Sequence, residues 1–182
     1  MMTLSKTATA MAAILLLTAL PAQASSTTED AGKFLAVALP VAAGGITAWK
    51  EDWQGTAQLG FVTLLTVGSA YGLKQIVHEE RPDHSDFKSF PSATSALAFA
   101  PAQFLWQRYG AEYGLPAYAA GIFVGYSRVE ADRHHWYDVA ASAGLSFGFN
   151  YFITSRYHPD DWPKVSLDVG PGGGYAGLNY VW

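Results

Sequence analysis

Ser127-Arg-Val-Glu-Ala-Asp-Arg-His-His-Trp-Tyr-Asp138 is the stretch on which the fold of this chain turns. It holds two arginines, two adjacent histidines and three acids within twelve residues. Uncharged apolar runs flank it, Tyr113–Ser127 before and Val139–Thr154 after. Ionic groups at that density beside apolar helices are costly unless they meet a ligand or each other. His134 and Asp138 are four residues apart, so on a helical turn they would share a face. A carboxylate there fixes the imidazole tautomer and supports its positive charge, which suits a nucleophilic or basic histidine. Arg128 adds a permanent planar cation, the usual partner of a phosphate or carboxylate. For the segment taken alone, a solvated loop between two helices is the plainer alternative.

Outward from this stretch the chain is apolar. Phe34–Trp49, Gly55–Leu73 and Ser89–Gln107 join the two flanking runs in lacking any Asp, Glu, Lys, Arg or His. The second and third of the five approach the ~20 residues that span a bilayer. Pro40, Pro101 and Pro116 interrupt them in a way membrane helices tolerate. The expected fold is all-α: a bundle of about five core helices, read as transmembrane. The alternative is a water-soluble bundle whose core helices are apolar all round, which a mean hydropathy of +0.10 leaves open. Only 14% of residues are charged, against about 25% in ordinary domains, and 18 glycines suit closely packed helices. A formal charge of −4 without a basic run argues against a nucleic-acid partner. The absence of cysteine excludes disulfides and thiolate metal sites.

Residues 1–24 read as a secretory signal, with Lys6, an apolar core from Met11 to Leu20, and Ala22-Gln23-Ala24 as the cleavage site. An uncleaved anchor is the alternative. Ser25 to Asp30 then reads as a short polar lead, residues 31–154 as the helical domain and 155–182 as a tail. Counting crossings from outside places both charge-rich segments, Lys74–Lys88 and Arg128–Asp138, on the outer face. Their cations run against the positive-inside rule, which an anion site would explain. In the tail, Val165, Leu167 and Val169 alternate with polar residues, and Gly170-Pro-Gly-Gly-Gly174 reads as a turn, so a small hairpin is expected. The closing Trp182 also resembles the end of an outer-membrane strand, but no other segment reads as a barrel strand.

Two further segments carry chemistry. Lys74, His78 and Arg81-Pro82 stand at the end of the second helix, where their spacing puts Lys74 and His78 on one face with Arg81 a turn beyond. Cations there would also suit the backbone dipole. Phe90-Pro-Ser-Ala-Thr94 opens the third helix. Free N–H groups at a helix start suit a phosphate, and ordinary capping by Ser89 or Ser92 is the plainer reading.

These segments resemble the three signature motifs of the type 2 phosphatidic acid phosphatase superfamily, which includes vanadium haloperoxidases and bacterial class A acid phosphatases. Lys74, six residues and Arg81-Pro82 match the first motif; Ser127-Arg128, His134 and Asp138 match the third. The second, Pro-Ser-Gly-His, is matched by Pro91-Ser92-Ala93-Thr94. The resemblance spans roughly residues 55–154. It implies that Lys74, Arg81 and Arg128, the Ser92 hydroxyl and the Ala93 N–H bind the phosphoryl oxygens. It implies further that His134 attacks phosphorus to form a phosphohistidine while Asp138 orients it, with no metal and no cofactor. A metal at His134 and Asp138 would be repelled by the surrounding cations.

Thr94 departs from the pattern, because the family's second-motif histidine is the general acid. A threonine hydroxyl is too weak an acid for that work, which is typically worth 10²–10⁴-fold. His78, His84 and His135 are the candidate substitutes. The implied function is hydrolysis of a phosphate monoester or pyrophosphate of an envelope lipid in a multi-pass bacterial-type inner membrane, the site facing the periplasm. Candidate substrates are phosphatidic acid, phosphatidylglycerol phosphate, polyprenyl pyrophosphate and lipid A phosphates. The alternatives are a non-catalytic phosphate-lipid binder and a soluble periplasmic acid phosphatase.

Overall fold

The computed structural model describes residues 25–158, 164–170 and 173–179. The expected signal segment, residues 1–24, lies outside the described residues, as does the tail's closing Trp182. Five helices form the expected all-α bundle: α1 (Ser25–Trp49), α2 (Trp53–Leu73), α3 (Ala93–Tyr109), α4 (Ala111–Glu130) and α5 (Trp136–Ile153). Later in the chain β1 (Lys164–Gly170) and β2 (Gly173–Asn179) pair antiparallel, with Leu167 opposite Ala176.

Local chemistry sets the helix ends. The Asp52 carboxylate accepts from the Gly55 N–H at 2.8 Å and starts α2. Ser92 does the same for α3 by accepting from the Ser95 N–H at 3.3 Å. Gly110, at φ 93°, turns α3 into α4 in a single residue, a conformation that favours glycine. The stretch expected as a short polar lead, Ser25–Asp30, is instead the first turns of α1, because nothing in Ser-Ser-Thr-Thr-Glu-Asp forbids the helix that Ala31 and Gly32 continue.

Helix α3 packs against each of the other four. Its Ala96, Ala98, Ala100 and Ala102 are fully buried, and these short side chains let the neighbouring backbones come close. A Cβ at Gly125 of α4 would fall 2.5 Å from Val139 Cγ1 of α5, so that crossing admits only glycine without rearrangement.

The apolar core, which includes Leu59, Val62, Phe104 and Val124, also holds polar side chains, while the outer surface carries many large apolar ones. Thr66, Ser95, Gln103, Ser142, Ser146 and Asn150 are buried and satisfied internally: Thr66 on the Val62 carbonyl at 2.7 Å, Asn150 on that of Ala100 at 3.2 Å. Large apolar side chains point outward from all four outer helices, Val41 at 69%, Leu64 at 68%, Leu115 at 59% and Phe152 at 84% exposure. Isolated exposed residues are ordinary, but a belt around the whole bundle is not. Taken one at a time, however, only α1 among the described helices is long and apolar enough to cross a membrane, over Thr27–Trp49 with mean hydropathy 1.5. The second and third runs, which approach the length of a span in the sequence, do not meet that measure as α2 and α3. Their inward Thr, Ser and Gln side chains lower the average, and α3 has only 17 residues.

Because the helices alternate in direction, the ends of α2 and α4 and the starts of α1, α3 and α5 meet at one end of the bundle. There the Asp83 N–H donates to the Asp132 carbonyl at 3.1 Å and the Ser92 N–H to that of Asp138 at 3.3 Å. The two charge-rich segments therefore share one end.

Candidate active site

Lys74 caps the C-terminus of α2, and the helix goes no further. The expected shared helical face of Lys74, His78 and Arg81 is therefore not formed. Continued helix would carry Arg81 about 10 Å along the axis, and Pro82 could not donate into it. Instead, residues 75–92 fold back as a loop, closed by the Ser89 N–H on the Glu79 carbonyl at 2.9 Å and the Arg81 N–H on that of Asp86 at 3.0 Å. The fold-back gives the buried Lys74 ammonium two acceptors, the carbonyls of Lys88 at 2.5 Å and Ser89 at 3.0 Å. Burial and the neighbouring Arg81 charge push Lys74 down to about 8. Arg81 is held by Asp86 at 2.8 Å and by the Arg133 carbonyl at 2.9 Å.

His134 lies in the loop before α5, and His135 is the residue that caps it. His134 and Asp138 thus do not share a helical turn, as their spacing suggested. They meet because Asp138 stands in the first turn of α5 and reaches back: its Oδ2 lies 3.4 Å from His134 Nδ1. The same oxygen accepts from the His135 N–H at 2.8 Å and the Ser89 hydroxyl at 2.5 Å. Asp138 is fully buried and His134 is 4% exposed. Burial is the main force lowering the His134 pKa, helped by the charges of Lys74 and Arg81 and opposed by Asp138. The imidazole is therefore neutral near pH 7, with Nδ1 directed at the carboxylate and Nε2 left for a reaction partner.

Lys74, Arg81, Ala93, Thr94, Arg128 and His134 line one cavity of about 460 Å³, joined by Tyr71, Gln75 and Lys88. Ala93 and Thr94 bring the start of α3, with its free N–H groups, into the wall. Ser92 does not line it; its side chain is wholly buried in the α3 cap, 2.9 Å from the Ser95 hydroxyl. None of the candidate substitute acids lines it either. His84 pairs with Glu80 at 2.9 Å, His135 stacks on Tyr137 with ring centres 4.8 Å apart, and His78 lies exposed on the loop. Among the described residues no three His, Asp or Glu side chains converge as metal ligands.

Two groups were not singled out by sequence reasoning. Ser89, in the sequence only one of two candidate caps, donates to Asp138. Glu29, on the first turns of α1, accepts from Arg128 Nη2 at 3.1 Å. A pair 99 residues apart leaves no local pattern to find. The cavity's chemistry is that of an oxyanion site: three buried or half-buried cations and a helix start surround a neutral imidazole backed by a carboxylate.

The PAP2 superfamily model matches residues 55–162. The chain is 32% identical to a lipid A 4'-phosphatase of Helicobacter pylori over 79% of its own length and 80% of that protein. It is also similar, at 22% identity and a TM-score of 0.40, to the transmembrane PAP2 type phosphatidylglycerolphosphate phosphatase of Bacillus subtilis, covering 82% of this chain and 94% of that one.

Proposed function

The chain belongs to the PAP2 superfamily, and from that premise we propose that it hydrolyses a phosphate monoester or pyrophosphate of an envelope lipid through a phosphohistidine. The observation that carries the reading is the meeting of His134, Lys74, Arg81 and Arg128 around one cavity at the start of α3. In the proposed reaction the three cations and the Ala93 N–H hold the phosphoryl oxygens. His134 Nε2 attacks phosphorus, a P–N bond forms, and the bond to the lipid oxygen breaks. Asp138 supports the charge that develops on the ring. Water then attacks the phosphohistidine, which releases orthophosphate and restores the neutral imidazole.

With Thr94 in the cavity wall and no second imidazole beside it, the departing oxygen takes its proton from water. Leaving groups of low basicity, such as a phosphate, are favoured accordingly. Lipid A phosphates are the first substrates to test, since the Helicobacter pylori relative is named for one. The outward apolar belt supports placing the chain in a membrane, the satisfied polar interior being what lipid surroundings require. We place the site on the periplasmic side. A cysteine at exposed Ser85 should then react with an impermeant thiol reagent in cells with a permeabilised outer membrane, while one at exposed Glu51 should not. The reverse pattern would move the site to the cytoplasm.

The decisive test of function is phosphate release by the detergent-purified protein from a panel of lipid A phosphates, polyprenyl pyrophosphate, phosphatidic acid and phosphatidylglycerol phosphate. Release above that of His134→Ala is expected on at least one. Equality with His134→Ala on all of them, with vanadate still bound, would leave a phosphate-lipid binder as the function. Release of active protein by osmotic shock without detergent would reject the membrane placement.

A further inference from the structure

The first turns of α1 lie outside the matched PAP2 region, residues 55–162, yet they reach the cavity's end of the bundle. Glu29 is the residue that arrives. Its Oε1 accepts from Arg128 Nη2 at 3.1 Å and also lies 3.0 Å from Lys33 Nζ and 3.7 Å from Arg133 Nε. Backbone packing sets this meeting. A Cβ at Gly32 would fall 1.8 Å from Ser127 Oγ and 2.6 Å from Ser127 Cβ, so α1 and α4 touch there without room for any side chain. Gly32 is three residues from Glu29 on the same helical face, and Ser127 is the residue before Arg128. The contact thus holds Glu29 against the guanidinium.

Arg128 itself is unusual in what it lacks. It is 5% exposed, and its Nε and Nη1 are buried without a hydrogen-bond partner. Buried guanidinium N–H groups are costly to leave unpaired. Arg128 lines the cavity and Glu29 does not. The carboxylate therefore grips the guanidinium from outside the cavity and does not occupy the place of an incoming anion.

We propose that Glu29 is a positioning residue for phosphate binding: it fixes Arg128 by Nη2 and so holds the guanidinium charge at the cavity wall. The inference rests on the cavity being the phosphate site. It opposes the simplest electrostatic expectation, that removing a carboxylate beside an anion site strengthens anion binding.

Vanadate affinity of the detergent-purified protein tests it, alongside KM and kcat for an aryl phosphate. Glu29→Ala should weaken vanadate about tenfold and raise KM more than it lowers kcat. Glu29→Gln keeps an acceptor at the same reach and should stay within about threefold of wild type. Glu29→Asp keeps the charge but withdraws it by one methylene, and should resemble Glu29→Ala. In an Arg128→Ala background, Glu29→Ala should cost nothing further. Vanadate bound as tightly or more tightly by Glu29→Ala and Glu29→Asp would overturn the inference, as would additive losses in the double variant. If Arg128→Ala alone leaves vanadate affinity unchanged, the phosphate site is misplaced and both readings fall. If Arg128→Ala loses affinity and neither Glu29→Ala nor Glu29→Asp does, only the role of Glu29 is lost.

Discussion

The alkaline limb of the pH profile is the sharpest consequence of the burial of Lys74. Lys74 is 7% exposed, its ammonium held by two carbonyls, and burial brings it down from 10.5 to about 8. The sign follows directly. The depressed pKa means the cation is present below about pH 8 and lost above it. If binding a phosphate dianion needs that cation, kcat/KM falls with the protonated fraction, from roughly nine-tenths at about pH 7 to one-tenth at about pH 9, a tenfold loss. The assay is hydrolysis of an aryl phosphate, whose leaving group needs no proton. Lys74→Arg keeps a cation that does not titrate in this range, so its profile should stay flat to about pH 10 even where its plateau is lower. On the acid side, the proposed reaction needs neutral His134, and its lowered pKa places that limb below the usual 6.5. Asp138 favours the imidazolium, so Asp138→Asn should move the acid limb to lower pH as it lowers the plateau. An alkaline limb of unchanged position in Lys74→Arg would refute the assignment of that limb to Lys74.

Other outcomes follow from the same geometry. His134→Ala should abolish phosphate release, measured as orthophosphate, while vanadate affinity falls far less. Arg128→Ala should weaken vanadate binding by roughly 2–5 kcal/mol, as loss of one partner in a buried charged pair does, and Arg128→Lys should not fully restore it, by titration of the purified protein. Thr94→His should raise turnover of alkyl phosphates, up to the 10²–10⁴-fold that a general acid contributes, and change aryl phosphates little. Equal gains on both would show that residue 94 does not face the leaving group. Asp52→Ala should destabilise the bundle by about 3–5 kcal/mol by stranding buried Arg108, read as a lower melting temperature, with vanadate affinity in the folded protein unchanged.

The bundle was legible because its signal is contiguous: five uncharged runs separated by charge can hardly be anything but helices. The cavity residues of the first and third motifs were legible for a different reason, since fixed spacings carried them. What spacing could not show was how they meet. His134 and Asp138 suggested one helical turn, and the structure uses a loop and a helix start instead. Lys74 and Arg81 suggested a continuing helix, and the structure folds the loop back to satisfy a buried ammonium. Glu29 was invisible because its partner stands 99 residues away and its helix was assigned a polar lead-in. The mean hydropathy of single helices follows the same logic: in α2 it averages an outward apolar face with an inward polar one, and in central α3 the buried Ser95 and Gln103 lower it.

Both ends of the bundle bury an arginine, and the difference between them separates structure from function. Arg108 is 1% exposed and fully occupied: Asp52 takes Nε and Nη2, while Nη1 donates to the Ser155 carbonyl at 2.9 Å and to Gln58 at 3.2 Å. Tyr109 adds a hydrogen bond to Asp52 at 2.6 Å. Lys50 beside this network sits over the rings of Tyr109, Tyr113 and Tyr157 at 5.1 to 5.6 Å. A buried charge satisfied to this degree has nothing left to offer a ligand, and it locks the start of α2 to the end of α3. At the other end, Arg128 Nε and Nη1, His134 Nδ1 and Asp138 Oδ1 are all buried without a hydrogen-bond partner. Charge alone does not mark the cavity, for Arg108 is buried more deeply than Arg128. Unspent hydrogen-bonding capacity does, and among the described residues nearly all of it in buried side chains gathers at the cavity end, Thr63 being the exception. A phosphate bound between Arg128, Lys74 and Arg81 would sit beside His134, with Asp138 behind the ring on its Nδ1 side.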